Sequence, residues 1–157
     1  IKPGLYNEKK KNYQSIHTEI VSLGTGAGIV DAVKPGGLVA IGTKLDPSLT
    51  RSDSLIGSVI GKPDTLPENS TSAKLQVHLF DTAVGSAGET KVTPIKADEL
   101  LRVSVGTAPV PAKVTKVKSD NVEIEFKRPV CLFEKGSVAL SRRIAERWRL
   151  IGAGVID

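Results

Sequence analysis

Residues 137–157 read SVALSRRIAERWRLIGAGVID and hold four arginines and the only tryptophan of the chain. On either side of the central Ile144-Ala145-Glu146, apolar residues alternate with small or polar ones. A period of two is typical of β-strands, because successive side chains point to opposite faces. The stretch therefore predicts a β-hairpin with one strand from Val138 and the other from Arg147.

The same alternation places Arg147 and Arg149 on one face of the hairpin, near Arg143, and turns Trp148 to the opposite, buried face. A planar guanidinium can bond two oxygens of a phosphate or carboxylate at once. The three arginines therefore predict a site for such groups. The alternative is an ordinary solvated surface, because the open face of an antiparallel strand commonly meets water.

The Gly-Ala-Gly run at residues 152–154 continues the second predicted strand with almost no side-chain bulk. Glycine inside a strand often marks the close approach of another backbone. We therefore expect a neighbouring backbone or a large ring to lie directly against this part of the hairpin.

The rest of the chain carries many short alternating stretches between glycine-rich turns, and no convincing helix. Clear examples are AKLQVHLF at 73–80, LRVSV at 101–105 and VEIEF at 122–126. Short strands at spacings of roughly 8 to 12 residues favour antiparallel barrels. The predicted fold is all-β, with two antiparallel β-barrels in tandem.

A linker is predicted at residues 61–69, GKPDTLPEN, where two prolines stand among polar residues. We place the first barrel at residues 1–66 and the second at 67–157. The chain opens on IKPG, which is typical of a strand that ends in a turn, and it contains no methionine. We therefore expect a fragment of a longer protein, with a first barrel that lacks its opening strands.

The composition predicts a globular, basic protein. Of 157 residues, 39% are hydrophobic and 25% charged, and 22 lysines and arginines outnumber 17 acids. Excess positive charge favours a nucleic-acid partner. No apolar run reaches the ~20 residues that cross a bilayer, so we expect no membrane partner. The single Cys131 excludes an internal disulfide, and we expect a cytoplasmic protein.

Nucleotide-binding motifs are absent from the glycine-rich stretches. GTGAG at 24–28 lacks the third glycine of a dinucleotide fingerprint and no predicted helix follows it. GLVAIGTK at 37–44 has the spacing of a phosphate loop, but its lysine follows the hydroxyl residue instead of preceding it. We expect neither stretch to bind a nucleotide.

Catalytic and metal-binding constellations are also missing. His17 and His78 are the only histidines, and they stand far apart in the sequence. No serine has a base nearby in the sequence, and no paired-carboxylate motif stands out. We therefore expect no catalytic residue, metal site or cofactor in this fragment.

Binding is the remaining class of function. Lys34, Lys44 and Arg51 lie around predicted turns of the first barrel, and the hairpin arginines belong to the second. Small antiparallel barrels commonly contact RNA through phosphates and shape. Because aromatic residues make up only 4% of the chain, a stacking platform for single-stranded bases is not expected. Structured RNA is the better candidate.

Several long motifs resemble one family. They are KPGGLVAIGTKLDPSLTRSD at 34–53, GSVIGKPDTLP at 57–67, RPVC at 128–131 and ALSRRIAERWRLIGAGVI at 139–156. They closely resemble the two barrel domains that follow the GTPase domain in the gamma subunit of archaeal and eukaryotic translation initiation factor 2. The final hairpin is similar, more distantly, to the close of elongation factor Tu, a member of the same superfamily.

The resemblance implies a part in the GTP-dependent delivery of methionyl initiator tRNA to the small ribosomal subunit. The implied partners are initiator tRNA, the small ribosomal subunit, the alpha subunit of the heterotrimer and the protein's own GTPase domain. GTP and Mg²⁺ would belong to that domain, whose motifs this chain does not carry. GTP hydrolysis is therefore implied for the parent protein and not for these residues.

The resemblance also suggests which residues contact RNA. The family packs the acceptor end of the tRNA against the first barrel, which implies contacts at Gly36, Gly37, Lys44 and Arg51. On the second barrel, we expect Arg143, Arg147 and Arg149 to contact phosphate or ribosomal RNA.

Two functions compete on these residues. The barrels could bind the tRNA directly once the GTPase domain is present. Alternatively, they could act mainly as a docking module for the alpha subunit, with the arginines held in intramolecular ion pairs. Phosphate contacts release counterions, so a steep loss of affinity with salt would separate the first from the second.

Overall fold

The computed structural model describes residues 1–34, 36–85 and 90–157. Over these residues the chain forms eleven β-strands and one short 3-10 helix, Pro47–Asp53. The predicted all-β fold is therefore confirmed. The strands are β1 Leu5–Asn7, β2 Asn12–Gln14, β3 Ile20–Thr25, β4 Gly28–Val30, β5 Ala40–Thr43, β6 Asn69–Val84, β7 Leu100–Val105, β8 Ala108–Lys118, β9 Asn121–Cys131, β10 Ser137–Ile144 and β11 Arg147–Ile156.

A closed antiparallel barrel occupies the second part of the chain, with strand order β10-β11-β6-β9-β8-β7. Closure removes the unpaired edges that an open sheet exposes. Strand β6 is 16 residues long and pairs with both β9 and β11. This barrel forms the scaffold that holds the arginine-rich hairpin.

The interior of the barrel is filled by aliphatic side chains at alternate positions. Along β8, for example, Ala108, Val110, Ala112 and Val114 are buried, as a period of two requires. Burying a valine, leucine or isoleucine side chain contributes about 1.5–3 kcal/mol. The largest fully buried side chains are Leu75, Leu101, Ile124, Leu140 and Ile151.

The first part of the chain consists of two small open sheets. β1 pairs with β2, and β4, β3 and β5 form a three-stranded sheet in that order. Among the described residues, no apolar side chain before Leu75 belongs to the buried core. Instead, many large apolar side chains here are exposed: Tyr6, Ile20, Val21, Ile29, Val33, Leu38, Ile41, Ile56 and Ile60. The region predicted as an incomplete barrel therefore leaves its sheet faces uncovered.

Contacts cross the predicted domain boundary. Lys2 forms a 2.8 Å ion pair with Glu68, and the Asn69 amide donates to the Pro3 carbonyl at 3.3 Å. A Cβ on Gly57 would lie 2.6 Å from that of Ala108, so the first part packs tightly against β8. The division at residues 66 and 67 remains a prediction.

Strand β6 continues past the predicted end of its alternating stretch, through Val84. The Ala83 amide donates to the Thr90 carbonyl at 2.9 Å, and the Val92 amide donates to Asp81 at 3.0 Å. Local backbone pairing therefore extends the strand beyond residue 80, although the residues that follow are mostly polar.

Candidate nucleic-acid interface

The predicted hairpin is confirmed as β10 and β11, joined by Ala145 and Glu146. Both turn residues have positive φ, 46° and 63°, which is the conformation of a type I′ turn. This turn has the twist that matches antiparallel strands, so the hairpin continues directly into the barrel wall.

The register of the hairpin differs from the predicted arrangement of its arginines. Arg142 lies opposite Arg149, and Arg143 lies opposite Trp148. Residues directly opposite each other in an antiparallel pair share a face. Arg147 and Arg149 therefore share a face with Arg142, and the prediction that Arg143 joins them is wrong.

The two-residue turn sets these pairs, because it places Ile144 opposite Arg147 and therefore Arg143 opposite Trp148. A β-bulge at Ile151 decides which face of the hairpin turns inward. Leu140 pairs with Gly152 whereas Ser141 pairs with Leu150, so Ile151 is the extra residue. A bulge shifts the alternation of the strand on its far side. Trp148 consequently lies on the outer face, partly exposed and outside the buried core, and the prediction that it is buried is wrong.

Arg142 is engaged within the barrel. Its Nε lies 2.5 Å from Glu99 Oε1 and its Nη2 lies 3.2 Å from Oε2. Its Nη1 donates to the carbonyl and hydroxyl oxygens of Thr93 at 2.9 and 3.0 Å. The Arg142 and Glu99 side chains are only 15% and 19% exposed. Arg142 is therefore a structural residue that fixes the segment before β7 to the hairpin.

The other three hairpin arginines differ in their partners. Arg143 forms an ion pair with Glu146 across the turn, between two exposed side chains. Arg147 is exposed and Arg149 partly exposed, and neither forms an ion pair within the described ranges. Arg149 Nη1 lies beside Gly85, where a Cβ would be 3.1 Å away. Arg147 and Arg149 thus carry the uncompensated charge of this hairpin.

The predicted contacts of the first part lie on other elements than the hairpin. Gly36 and Gly37 are exposed, with φ of 115° and 75°, and lie before β5, whereas Lys44 follows it. Lys44 forms a 2.6 Å ion pair with Glu19 on the surface. Arg51 is exposed at the kink in the 3-10 helix. Their role in RNA contact stays a prediction.

A groove of about 830 Å³ lies between the three-stranded sheet and the linker, and sequence analysis did not find it. Ile20, Ile41 and Ile60 line it and are 39–50% exposed. Lys2 and Lys62 lie at the same groove. The only hint of this groove in the sequence is that these isoleucines lie before the segment that forms the closed barrel.

Shifted pKa values lie away from the hairpin. The Lys113 ammonium, at 2.7 Å, lowers the pKa of Asp98, and Asp98 raises the pKa of Lys113. The Ser48 backbone amide lowers the pKa of Asp46 by donating to its carboxylate. Both pairs are exposed and describe surface interactions.

GTP and Mg²⁺ do not fit the glycine-rich stretches. Residues 24–28 form the β3–β4 turn, and residues 37–44 run into β5. Neither stretch leads into an α-helix whose N-terminus could receive phosphate oxygens. Within residues 1–34, 36–85 and 90–157, no three His, Cys, Asp or Glu side chains form a group able to hold a metal ion. No described helix has the length and apolar character to span a membrane.

The family model described as "Initiation factor eIF2 gamma, C terminal" matches residues 71–156, which is more than half of the chain. The chain belongs to this family. The match coincides with the closed barrel and includes the whole arginine hairpin. The predicted resemblance to the gamma subunit is therefore confirmed.

Curated relatives of the eIF2 gamma family are similar over almost the whole chain. The translation initiation factor 2 subunit gamma of Aeropyrum pernix is 47% identical over 159 residues, covering 99% of this chain and 38% of that protein. Those of Methanopyrus kandleri and Pyrococcus abyssi are 47% and 48% identical over 158 residues, again covering 99% and 38%. The chain spans less than two fifths of the length of these relatives.

Proposed function

We propose that this chain is part of an initiation factor 2 gamma subunit and supplies β-barrel surfaces for the delivery of methionyl initiator tRNA to the small ribosomal subunit. The family match supports a role in translation initiation. In this proposal, the parent protein acts in the cytoplasm together with its alpha subunit. GTP and Mg²⁺ bind to a GTPase domain outside these residues.

The observation that supports RNA contact is the pair of uncompensated guanidinium groups on β11. Arg147 and Arg149 share one face of a rigid hairpin and have no acidic partner among the described residues. A guanidinium fork fits the two oxygens of a phosphate. A rigid hairpin also presents both groups without the entropic cost of ordering a loop. Arg143 contributes less, because Glu146 already bonds it.

The alternative function is a docking module for the alpha subunit without direct RNA contact. The open sheet β4-β3-β5 favours it, because the exposed isoleucines of that sheet suit a protein partner better than RNA. In this alternative, Arg147 and Arg149 remain solvated, and binding of the alpha subunit depends on the groove at Ile20 and Ile41.

The deciding experiment compares initiator tRNA binding by the full-length parent and its Arg147→Ala/Arg149→Ala variant at several salt concentrations. Each phosphate contact adds about 0.7–0.9 to the slope of log affinity against log salt. We expect the double variant to bind more weakly and to lose about 1.4–1.8 units of slope. Arg128→Ala, which removes an arginine from β9 on the other side of β6, is the matched control.

Two outcomes would contradict direct RNA contact. The first is unchanged tRNA affinity and salt slope in the double variant. The second is equal loss in the Arg128→Ala control, which would indicate only general attraction by net charge. Retained binding of the alpha subunit by every variant would then favour the docking function.

A further inference from the structure

The β1–β2 hairpin, residues 5–14, brings together the only two tyrosines of the chain. Tyr6 lies directly opposite Tyr13, and residues opposite each other in an antiparallel pair share a face. Their ring centroids are 5.4 Å apart, and the ring planes are inclined by 59°. Although aromatic residues make up only 4% of the chain, the fold concentrates two of them on what we name the tyrosine hairpin, residues 5–14.

The tyrosine pair is open to solvent. Tyr6 is 52% exposed and Tyr13 is partly exposed. Neither hydroxyl has a hydrogen-bond partner within the parts of the chain that the structure describes. Tyrosines that serve the fold are usually buried and bond through the hydroxyl. The ring of Tyr6 is therefore free to contact another molecule.

Three consecutive lysines occupy the tip of the tyrosine hairpin. Lys9, Lys10 and Lys11 are all exposed, and none of them forms an ion pair with another described residue. Glu8 is the only acid of the hairpin, so three positive charges stand against one negative charge. The tip thus carries uncompensated positive charge within a few residues of an exposed aromatic ring.

The turn that carries these lysines is ordered by the side chain of Asn7. Its Oδ1 accepts hydrogen bonds from the backbone amides of Lys9 and Lys10, at 3.0 Å each. Its Nδ2 donates to Gln14 Oε1 at 2.9 Å, on the face opposite to the tyrosines. An ordered turn loses less conformational entropy when its lysines bind a partner.

An exposed ring beside free lysines fits single-stranded RNA. Every unpaired base has a face that stacks on an aromatic side chain, while ammonium groups attract the flanking phosphates. In a duplex the bases stack on one another, so their faces are not available to Tyr6. An apolar protein surface fits less well, because the other residues of the hairpin are polar or charged, except for the partly buried Leu5.

We propose that the tyrosine hairpin binds a single-stranded segment of RNA, with one base stacked on Tyr6 and the flanking phosphates held by the three tip lysines. The proposal rests on the proposed function in one respect, since that function brings the parent protein into contact with RNA. It adds a second contact, because the uncompensated arginines of β11 lie on a different hairpin.

The test measures binding of a fluorescent oligouridine of about 12 nucleotides, which has no secondary structure, to the full-length polypeptide without other subunits. Fluorescence anisotropy gives the affinity at several salt concentrations. Tyr6→Ala removes the stacking ring, and Tyr6→Phe retains it. The triple variant Lys9→Gln/Lys10→Gln/Lys11→Gln removes the positive charge of the tip.

Matched control variants remove the same chemistry elsewhere. Phe133→Ala removes another exposed aromatic ring, 46% exposed, between β9 and β10. Lys118→Gln/Lys127→Gln/Lys135→Gln removes three exposed lysines that form no ion pair with the described residues. These controls separate a local site from general attraction by net charge.

We expect Tyr6→Ala to weaken oligouridine binding at least about fivefold with an unchanged salt slope, because stacking releases no counterions. Tyr6→Phe should bind like the unsubstituted protein. The triple variant of the tip should bind more weakly and lose about 2 units of slope, since each phosphate of a single strand contributes about 0.7. Unchanged affinity in Tyr6→Ala, or equal losses in the matched controls, would overturn the proposal.

A second measurement locates the RNA without any variant. An oligouridine that carries a photoreactive thiouridine is irradiated in the complex, and mass spectrometry identifies the crosslinked peptide. We expect the crosslink within residues 5–14, and crosslinks confined to other peptides would overturn the proposal. Polyglutamate is the probe for an acidic protein partner. Binding of polyglutamate as tightly as oligouridine, weakened by the tip variant but not by Tyr6→Ala, would also overturn the proposal.

The outcome is separable from that of the arginine experiment. If oligouridine binding depends on the tyrosine hairpin while tRNA binding ignores the β11 arginines, only the proposed tRNA contact fails. If tRNA binding depends on those arginines while oligouridine ignores Tyr6 and the tip lysines, only the present proposal fails.

Discussion

Arg142 and Glu99 form the one largely buried ion pair of the described residues, with Nε and Oε1 2.5 Å apart. They lie 43 residues apart in the sequence, and the pair links β10 to the start of β7. Thr93 accepts further bonds from the same guanidinium. The hairpin that presents Arg147 and Arg149 is thereby fixed to the barrel mouth from within.

Glu99→Ala is expected to destabilise the barrel by about 3 kcal/mol, because removing one partner leaves a largely buried charge without compensation. Urea denaturation followed by circular dichroism measures the loss. Asp98→Asn is the matched control, since it breaks the neighbouring pair with Lys113 between exposed side chains. A loss no greater than that of the control would show that water reaches Arg142.

Trp148→Ala is expected to cost much less stability than Leu140→Ala. Leu140 is fully buried, and truncating such a residue costs about 2–5 kcal/mol. Trp148 lies on the outer face, partly exposed and outside the buried core, so its truncation opens no void inside the barrel. Equal shifts of the urea midpoint for the two variants would place the indole in the core after all.

The sequence predicted the all-β fold, the hairpin and the alternation of strands such as β9, because each depends on local periodicity. It did not predict which face Trp148 occupies, since a one-residue bulge at Ile151 leaves no mark on composition and reverses every position beyond it. The ion pair of Arg142 could not be predicted either, because its partner Glu99 is distant in sequence. Periodicity specifies the strands, whereas register and long-range pairs depend on the assembled barrel.

Gly152→Ala is expected to destabilise the barrel by roughly 1–3 kcal/mol, as overpacking of a tight site does. A Cβ there would lie 2.4 Å from the His78 carbonyl oxygen and 3.0 Å from Leu79 Cα on β6. This confirms the predicted close approach of a backbone to the Gly-Ala-Gly run. Thermal unfolding measures the effect, and Gly26→Ala, which has open space around it, is the control. Equal melting temperatures for the two variants would mean that the backbones of β6 and β11 can move apart without a loss of stability.

Cys131 is expected to resist thiol reagents at neutral pH. The side chain is buried at the end of β9, and burial raises the pKa of its thiol above the ordinary value. Because only the thiolate reacts, labelling in the folded chain should be far slower than in urea.

The raised pKa of the Cys131 thiol also predicts how stability depends on pH. A group whose pKa is higher in the folded state stabilises the fold below its unfolded pKa, and this contribution is lost as pH rises through the folded pKa. The free energy of unfolding should therefore fall more steeply above about pH 9 in the unsubstituted chain than in the Cys131→Ala variant. Parallel pH profiles for the two chains, or rapid labelling of the folded chain at pH 7, would show that the thiol is accessible to water.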